Sequence, residues 1–421
     1  MPFVENPMEE ESLLGNQPIW AEAPLLIGQS RFEPVGNKVI MITGAAGFIG
    51  SWVARHLTIV YPEYHIISFD KMDYCATWNN NAQLSGLPNF SFFKGDITHP
   101  EDVLACLRKY GVDTVMHFAA QSHVDLSFGN SLDFSINNIQ GTHVLLECVR
   151  KYGRVQKFIH VSTDEVYGEV GDDENDLLET ALLEPTNPYA ASKAGAEQMV
   201  HAYYKSFKIP AIVVRSNNVY GPHQYPEKVI PKFILLLQRG KQLTLHGNGL
   251  HTRRYLFAGD AADAFDTVLH KGEVGHKYNV GSRDEISNID LCRKLLRYFK
   301  TDKADEDLES YIEHVQDRPF NDHRYAVDGS RLKQLGWEQR TSFEDGLRMT
   351  VEWYRKFGSD WWGDVESRLT PFPEPPTPAP DEDESQKKGL GYDAPAEGGA
   401  MQSNDKWSFS SILTALFFEQ A

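Results

Sequence analysis

Cysteine is scarce: the 421 residues contain four, Cys75, Cys106, Cys148 and Cys292, with no C-x-x-C pair and no Cys/His cluster. That excludes a disulfide-stapled secreted fold and the common zinc modules, predicts no metal site, and fits a reducing compartment, so the cytoplasm is the expected location. Positive charge is in deficit, 41 Lys+Arg against 59 Asp+Glu for a net charge of −18, which disfavours nucleic acid and anionic membrane surfaces as partners. No run of about 18 apolar residues occurs, so no membrane span is expected. The start Met1-Pro2-Phe3-Val4-Glu5 has neither the basic region nor the apolar stretch of a secretion signal. What the chain does have is a 41% apolar share, enough over this length to bury one large core, or a core plus a small satellite.

The acids are unevenly spread. Residues 1–36 carry six acids and one Arg, and residues 371–421 carry nine acids and three Lys. We read 1–36 as a flexible acidic extension. Six of the ten residues Pro371–Pro380 are proline and the acidic run Asp381–Glu384 follows, so 371–404 reads as a disordered linker that cannot bury enough apolar surface to offset ordering. Residues 405–421 form a short apolar tail carrying Trp407, Phe409, Ile412, Leu413, Leu416, Phe417 and Phe418, suited to covering a groove on the body or meeting a partner.

Between 38 and 370, short apolar runs alternate with longer amphipathic stretches, the pattern of a parallel sheet with crossover helices. Lys38–Thr43, His65–Asp70, Phe90–Lys94, Thr114–Phe118, Lys157–Val161 and Ala211–Arg215 are six candidate strands. The expected fold is α/β: a Rossmann-type doubly wound parallel sheet over 37–215, with a smaller C-terminal substrate-binding domain over 216–370, some of whose segments return to the first.

The first strand runs into Gly44-Ala45-Ala46-Gly47-Phe48-Ile49-Gly50, where a helix is expected to begin. In such a loop the first glycine makes the turn, the second admits a pyrophosphate and the third lets helix pack on strand. Asp70 stands 20 residues past Gly50 at a strand end, where a carboxylate accepts both ribose hydroxyls and repels a 2′-phosphate, favouring NAD over NADP. Asp96-Ile97 is placed to flank the adenine, and the segment Phe118-Ala119-Ala120-Gln121-Ser122-His123 to pass under the ribose. His117 and His123 lack metal-ligand partners at sensible spacing and read as polar loop residues.

Pro188-Tyr189-Ala190-Ala191-Ser192-Lys193 opens an Ala-rich helix, and the i, i+4 spacing puts Tyr189 and Lys193 on one face. A nearby ammonium favours phenolate, preparing the tyrosine to take a hydroxyl proton during hydride transfer. Tyr204 and Lys208 share that spacing and read as a surface coincidence. After the strand Lys157–Val161 comes Ser162-Thr163-Asp164-Glu165-Val166-Tyr167-Gly168, with two adjacent carboxyls. Elimination of water beside a carbonyl needs a base for the α-proton and an acid for the departing hydroxyl, and mutual repulsion can separate two carboxyls into those roles. Thr163 is placed to hydrogen-bond the hydroxyl that becomes the carbonyl.

These motifs, the fourth-strand segment running on through Phe118–Asp125, together with Arg215-Ser216-Asn217-Asn218-Val219-Tyr220-Gly221-Pro222 and Pro226-Glu227-Lys228, resemble the extended short-chain dehydrogenase/reductases, and within them the nucleotide-sugar 4,6-dehydratases, over about 38–370. The resemblance implies that Tyr189 removes the 4-hydroxyl proton while NAD takes the C4 hydride, that Glu165 removes the C5 proton and Asp164 protonates the 6-hydroxyl, and that the hydride returns to C6. It implies cofactor contacts at Phe48, Ile49, Lys71 and Asn137, and substrate contacts at Ser122, Asn218, Lys228, Arg253, Asn279 and Arg318, the two arginines on the diphosphate. Arg254 reads as a surface charge. A homodimer joined through a helix pair is also implied. Asp317-Arg318-Pro319-Phe320-Asn321-Asp322-His323-Arg324-Tyr325 and Lys71-Met72-Asp73-Tyr74-Cys75 look like the plant and fungal UDP-glucose members of rhamnose synthesis rather than the bacterial dTDP-glucose form. UDP-glucose is therefore the favoured substrate, dTDP-glucose the next. With no reductase domain after 370, a separate downstream epimerase or reductase is expected to use the product. A UDP-sugar epimerase or decarboxylase would share the glycine loop, Tyr189 and Lys193 but not Asp164; an NAD-sensing protein without chemistry would commonly lack the Tyr/Lys pair.

Overall fold

The computed structural model describes residues 19–372, apart from 37 and 301. The readings of 1–18 and of everything from 373 on, including the apolar tail, lie outside the described residues. Twelve strands occur among those described: β1 Val39–Thr43, β2 His65–Asp70, β3 Phe90–Lys94, β4 Thr114–His117, β5 Lys157–Thr163, β6 Ala211–Ser216, β7 Asn218–Tyr220, β8 Leu243–His246, β9 Thr252–Phe257, β10 Lys277–Val280, β11 Glu285–Ser287 and β12 Ile312–Val315.

Seven of them form one parallel sheet in the order β10-β6-β5-β4-β1-β2-β3. The doubly wound expectation therefore holds, with a seventh strand that the sequence reading lacked. In Lys277-Tyr278-Asn279-Val280 only two residues are apolar, and the edge position buries the strand through its neighbour β6 rather than through its own pattern. The central strands are apolar on consecutive residues because both faces are covered. Alternation still assigns each side chain: Ile40 and Ile42 join the core on one face with Ile66, Ile159, Ile212 and Val214. Met41 joins the other with Ile67, Phe158 and Val213.

Helix Phe48–Val60 lies against helix Ala258–Lys271, and helix Pro100–Tyr110 against helix Gly141–Tyr152, which also meets helix Pro188–Phe207. Helix Pro188–Phe207 starts where the Asn187 side chain accepts from Ala190 N (2.8 Å) with Pro188 in the first turn, and it stops at Lys208 in the left-handed conformation, φ 60°. Beyond β6, the strands β7, β9 and β11 make a three-stranded sheet, and β8 pairs with β12 in parallel. Residues 216–370 are not a separate body: β10 completes the main sheet, and the described residues fall in one compact unit.

Part of the expected acidic extension is laid along the body instead of standing free of it. Gln29 N and Ser30 N donate to Asp263 Oδ1 (2.6 and 2.8 Å), Phe32 N to Tyr61 Oη (2.8 Å) and Val35 N to Tyr64 Oη (2.9 Å). Backbone donors outside helices and strands need partners, and this segment finds them on buried side chains of the body.

His117 is not a loop residue. It ends β4, buried, with Nδ1 2.8 Å from Thr43 Oγ1 and Nε2 2.9 Å from Thr142 Oγ1. Burial pushes its pKa down to about 3, and pushes those of His160 and His223 well below the ordinary value. A histidine held neutral in the fold binds fewer protons than in the unfolded chain, so its stabilising contribution is complete above the ordinary histidine pKa of 6.5 and is lost as pH falls from there. Each such histidine removes about 1.4 kcal/mol per pH unit over that window. Urea denaturation at pH 7.5 and 5 is expected to show this loss, and His117→Gln is expected to flatten the slope.

Candidate active site

The strand order reverses between β1 and β4, so the loops after these strands part and leave a crevice at their C-terminal ends. The glycine loop fills one wall. Gly44 has φ +72°, and a Cβ there would meet Ala119 N at 2.7 Å; a Cβ on Gly50 would meet Gly44 O at 2.4 Å. Both contacts are to backbone, so the loop and the helix after it reach their places only with glycine. Helix Phe48–Val60 begins at Gly47 with no side-chain cap, leaving its first N–H groups and positive end directed to an anion.

Gly44, Gly47, Phe48, Ile49, Gly50, Asp70, Lys71, Asp96, Ile97, Ala119, Ala120 and Asn137 all line one hollow, together with Ser122, Thr163, Glu165, Tyr189 and Lys193. Asp70 is held by backbone donors, Ala46 N to Oδ2 at 2.9 Å and Met72 N to Oδ1 at 2.8 Å. Lys71 Nζ lies 3.1 Å from Asp73 and 3.3 Å from Asn137 Oδ1. An uncapped helix start, close-approach glycines and a fixed strand-end carboxylate are the donor and acceptor set that a dinucleotide pyrophosphate and ribose require.

The chemical end is built by β5 and helix Pro188–Phe207. β5 runs two residues further than read, through Thr163, and Asp164–Tyr167 form a single 3₁₀ turn that Thr163 caps by accepting from Glu165 N at 3.3 Å. Asp164 is 2% exposed; Asn217 Nδ2 donates to its Oδ2 at 2.6 Å and Thr163 Oγ1 to its Oδ1 at 3.2 Å. Burial first, and Glu165 second, push Asp164 up to about 7. Glu165 is also raised by burial, with Arg253 pulling in the opposite direction and Asn187 Nδ2 donating to its Oε2 at 3.3 Å. The two acids thus differ: one deep and fixed by an amide, the other facing the hollow.

Lys193 is buried, donates to Val161 O at 2.7 Å, and is lowered to about 8 by burial. Tyr189 is raised rather than lowered: burial dominates and the Glu165 charge adds to it, while a hydrogen bond with Thr163 works the other way. The activated phenolate expected from Lys193 is therefore not the resting state of the side chain.

A second hollow adjoins the first through Ser122, Glu165, Asn218, Gln224, Glu227 and Lys228. Its walls include Arg253, Arg318, Lys232, His246 and Tyr325. Arg253 is braced by Thr252 O (2.7 Å), Asp322 O (2.9 Å) and Asn321 Oδ1 (3.1 Å), and Arg318 pairs with Asp125 at 2.5 Å. Arg254 is no free surface charge, since it pairs with Asp176 and Glu285. Asn279 is the exception among the expected substrate contacts. It is fully buried in β10, donates to Leu177 O (3.0 Å) and Asp328 O (3.1 Å), accepts from Tyr167 Oη (2.8 Å), and lines neither hollow. His123 is buried and caps helix Val124–Gly129. Sequence reasoning missed Asn187, Asn217, Asp125 and Lys232. Asn187 carried a legible signal, a helix-capping Asn before Pro at the tyrosine helix; Asp125 closes the Phe118–Asp125 segment of the resemblance but was given no role, and Lys232 carried none.

The chain matches the family model described as GDP-mannose 4,6 dehydratase over residues 41–350. It is 52% identical over 337 residues to an Arabidopsis thaliana protein named trifunctional UDP-glucose 4,6-dehydratase/UDP-4-keto-6-deoxy-D-glucose 3,5-epimerase/UDP-4-keto-L-rhamnose-reductase, covering 80% of this chain and 50% of that one. The chain thus spans about half the length of such plant relatives. It is 45% identical to the human dTDP-D-glucose 4,6-dehydratase, covering 80% of this chain and 95% of the other. Among solved structures, a dTDP-glucose 4,6-dehydratase from Streptomyces venezuelae crystallised with NAD superposes with a TM-score of 0.72 at 38% identity, covering 77% of this chain and 98% of that one. With its glycine loop, buried acid pair and Tyr/Lys helix on a Rossmann-type sheet, the chain belongs to the GDP-mannose 4,6 dehydratase family of the extended short-chain dehydrogenase/reductases.

Proposed function

We propose that the protein binds NAD and dehydrates a nucleoside-diphosphate glucose to the 4-keto-6-deoxy sugar, with UDP-glucose favoured and dTDP-glucose next. The observation that carries this reading is the adjacent acid pair: Asp164 raised to about 7 beside Glu165, which lines the same hollow as Tyr189. The 52% identity to a relative named for UDP-glucose supports the choice of base, and Asp164 sets the reading apart from an epimerase or decarboxylase.

In this mechanism Gly44, Gly47 and Gly50 admit the dinucleotide, Asp70 accepts its ribose hydroxyls, and Asp96, Ile97, Ala119 and Ala120 flank it. Bound NAD would supply a reversible acceptor, taking the C4 hydrogen with its electron pair and giving it back at C6. Tyr189 must first lose its own proton; as the phenolate that the Lys193 ammonium stabilises, it takes the proton of the 4-hydroxyl and becomes the phenol, while Thr163 orients the oxygen. Glu165 removes the C5 proton. Asp164 gives its proton to the 6-hydroxyl, which leaves as water, and a proton later returns to C5. Arg253, Arg318 and Lys228 suit the diphosphate, and Ser122 and Asn218 the hexose. Exposed Leu132 and Ile136 give apolar surface for a second copy, supporting a homodimer. The 4-keto product needs a further epimerase or reductase before it is a finished deoxysugar.

An acid with a pKa near 7 must keep its proton before elimination, so kcat/KM is expected to fall about tenfold per pH unit above 7. That limb should vanish in Asp164→Asn, whose residual rate is low but flat. Asp70→Ala is expected to weaken NAD binding by about tenfold and to relax discrimination against NADP, as read by calorimetry; unchanged preference would contradict the ribose role. The reaction itself is tested by mass spectrometry of UDP-glucose and dTDP-glucose, incubated separately with the protein and no added reductant. Loss of one water from either supports the reading, and loss from neither counts against it.

A further inference from the structure

Two residues that line the second hollow, Lys232 and His246, are held by the segment that follows helix Phe343–Trp361. After the turn Glu366–Arg368, Thr370 O accepts a hydrogen bond from Lys232 Nζ, and Pro371 O lies 3.1 Å from His246 Nε2. The Phe372 ring stacks on the His246 imidazole with centroids 4.9 Å apart and planes 28° apart. Both Lys232 and His246 line the hollow that also holds Arg253 and Arg318, and Glu165 lies at its junction with the cofactor hollow. A nucleotide sugar whose hexose meets Glu165 and whose diphosphate meets the arginines must direct its nucleoside away from Glu165, into the remaining part of this hollow. Lys232 and His246 belong to that part.

We propose that Thr370–Phe372 is a strap that positions Lys232 and His246 at the nucleoside end of the substrate cleft, making Phe372 a specificity- and affinity-determining position. The proposal rests on the nucleotide-sugar reading above. A carbonyl can only accept, so Pro371 O fixes the imidazole proton on Nε2 and leaves Nδ1 as an acceptor. The stacked Phe372 ring holds the imidazole plane. Thr370 O fixes the direction of the ammonium at the end of the buried Lys232 stem. Upstream, Arg368 lies 5.2 Å over the Tyr74 ring, and Tyr74 Oη donates to Glu227 at 3.0 Å, which anchors the strap to the cofactor side of the cleft.

Calorimetric titration of the full chain with UDP, and separately with dTDP, tests the strap. Phe372→Ala is expected to raise the Kd for UDP about tenfold and to raise KM for the sugar nucleotide without a matching fall in kcat, while NAD affinity is unchanged. His246→Ala should cost a similar factor, and the double variant no more than the worse single one, because the phenyl ring acts through the imidazole. Phe372→Tyr should retain affinity. Wild-type UDP affinity in Phe372→Ala, or fully additive losses in the double variant, would overturn the strap alone. Wild-type protein binding neither UDP nor dTDP would overturn the nucleotide-sugar reading and the strap with it.

Discussion

Glu165→Gln is expected to reduce formation of the dehydrated product by about 10³-fold while leaving NAD affinity within about twofold of wild type. The amide keeps the shape and can still meet Asn187, whose Nδ2 donates to Glu165 Oε2 at 3.3 Å, but it cannot accept the C5 proton. General-base removal is the step for which no other side chain stands ready: Asp164, pushed up to about 7 by burial and by Glu165, holds the proton it gives to the 6-hydroxyl and so does not take the one at C5. Burial also raises the Glu165 carboxyl, so the substitution relieves a costly buried charge and thermal stability is expected to hold or rise. A folded, NAD-binding variant without turnover separates chemistry from structure. Wild-type turnover in that variant would remove Glu165 from the mechanism.

Tyr189→Phe is expected to have an effect of similar size, about 10²–10⁴-fold, on C4 oxidation and so on all product formation. The side chain is 8% exposed and burial raises its pKa, so the free protein holds it as the phenol. Lys193 Nζ donates to Val161 O at 2.7 Å, which fixes the ammonium on the same helix face. The phenylalanine variant keeps that packing and loses only the oxygen. Lys193→Met, by contrast, leaves the Val161 carbonyl without its donor and should lose both activity and stability. Activity readouts paired with thermal melts distinguish the two.

How much of this was legible in the chain follows from what kind of signal each residue leaves. The six strands that were read are apolar on consecutive residues because helices cover both faces of the sheet, and that pattern survives without any tertiary knowledge. β10 escaped because an edge strand of four residues, two of them polar, is defined by pairing with β6. The glycine loop, Asp70, Thr163-Asp164-Glu165 and Tyr189/Lys193 are local spacings tied to strand ends and a helix start, so they were readable. Asn279 shows what spacing leaves out, since its strand carries the side chain into hydrogen bonds with Tyr167, Leu177 and Asp328. Lys232 and His246 reach the cleft from separate elements with no motif between them. The pKa of Tyr189 could not be read from spacing either, since burial and the Glu165 charge raise it.

The measurement closest to the central claim is incubation of the protein with UDP-glucose in D₂O, followed by mass spectrometry and proton NMR of the sugar. Proton removal at C5, departure of the 6-hydroxyl as water and reprotonation at C5 predict loss of one water and one solvent deuteron at C5, and none at C4 or C6. A recovered or isomerised sugar with its water retained and no deuterium at C5 would contradict the elimination assigned to Glu165 and Asp164.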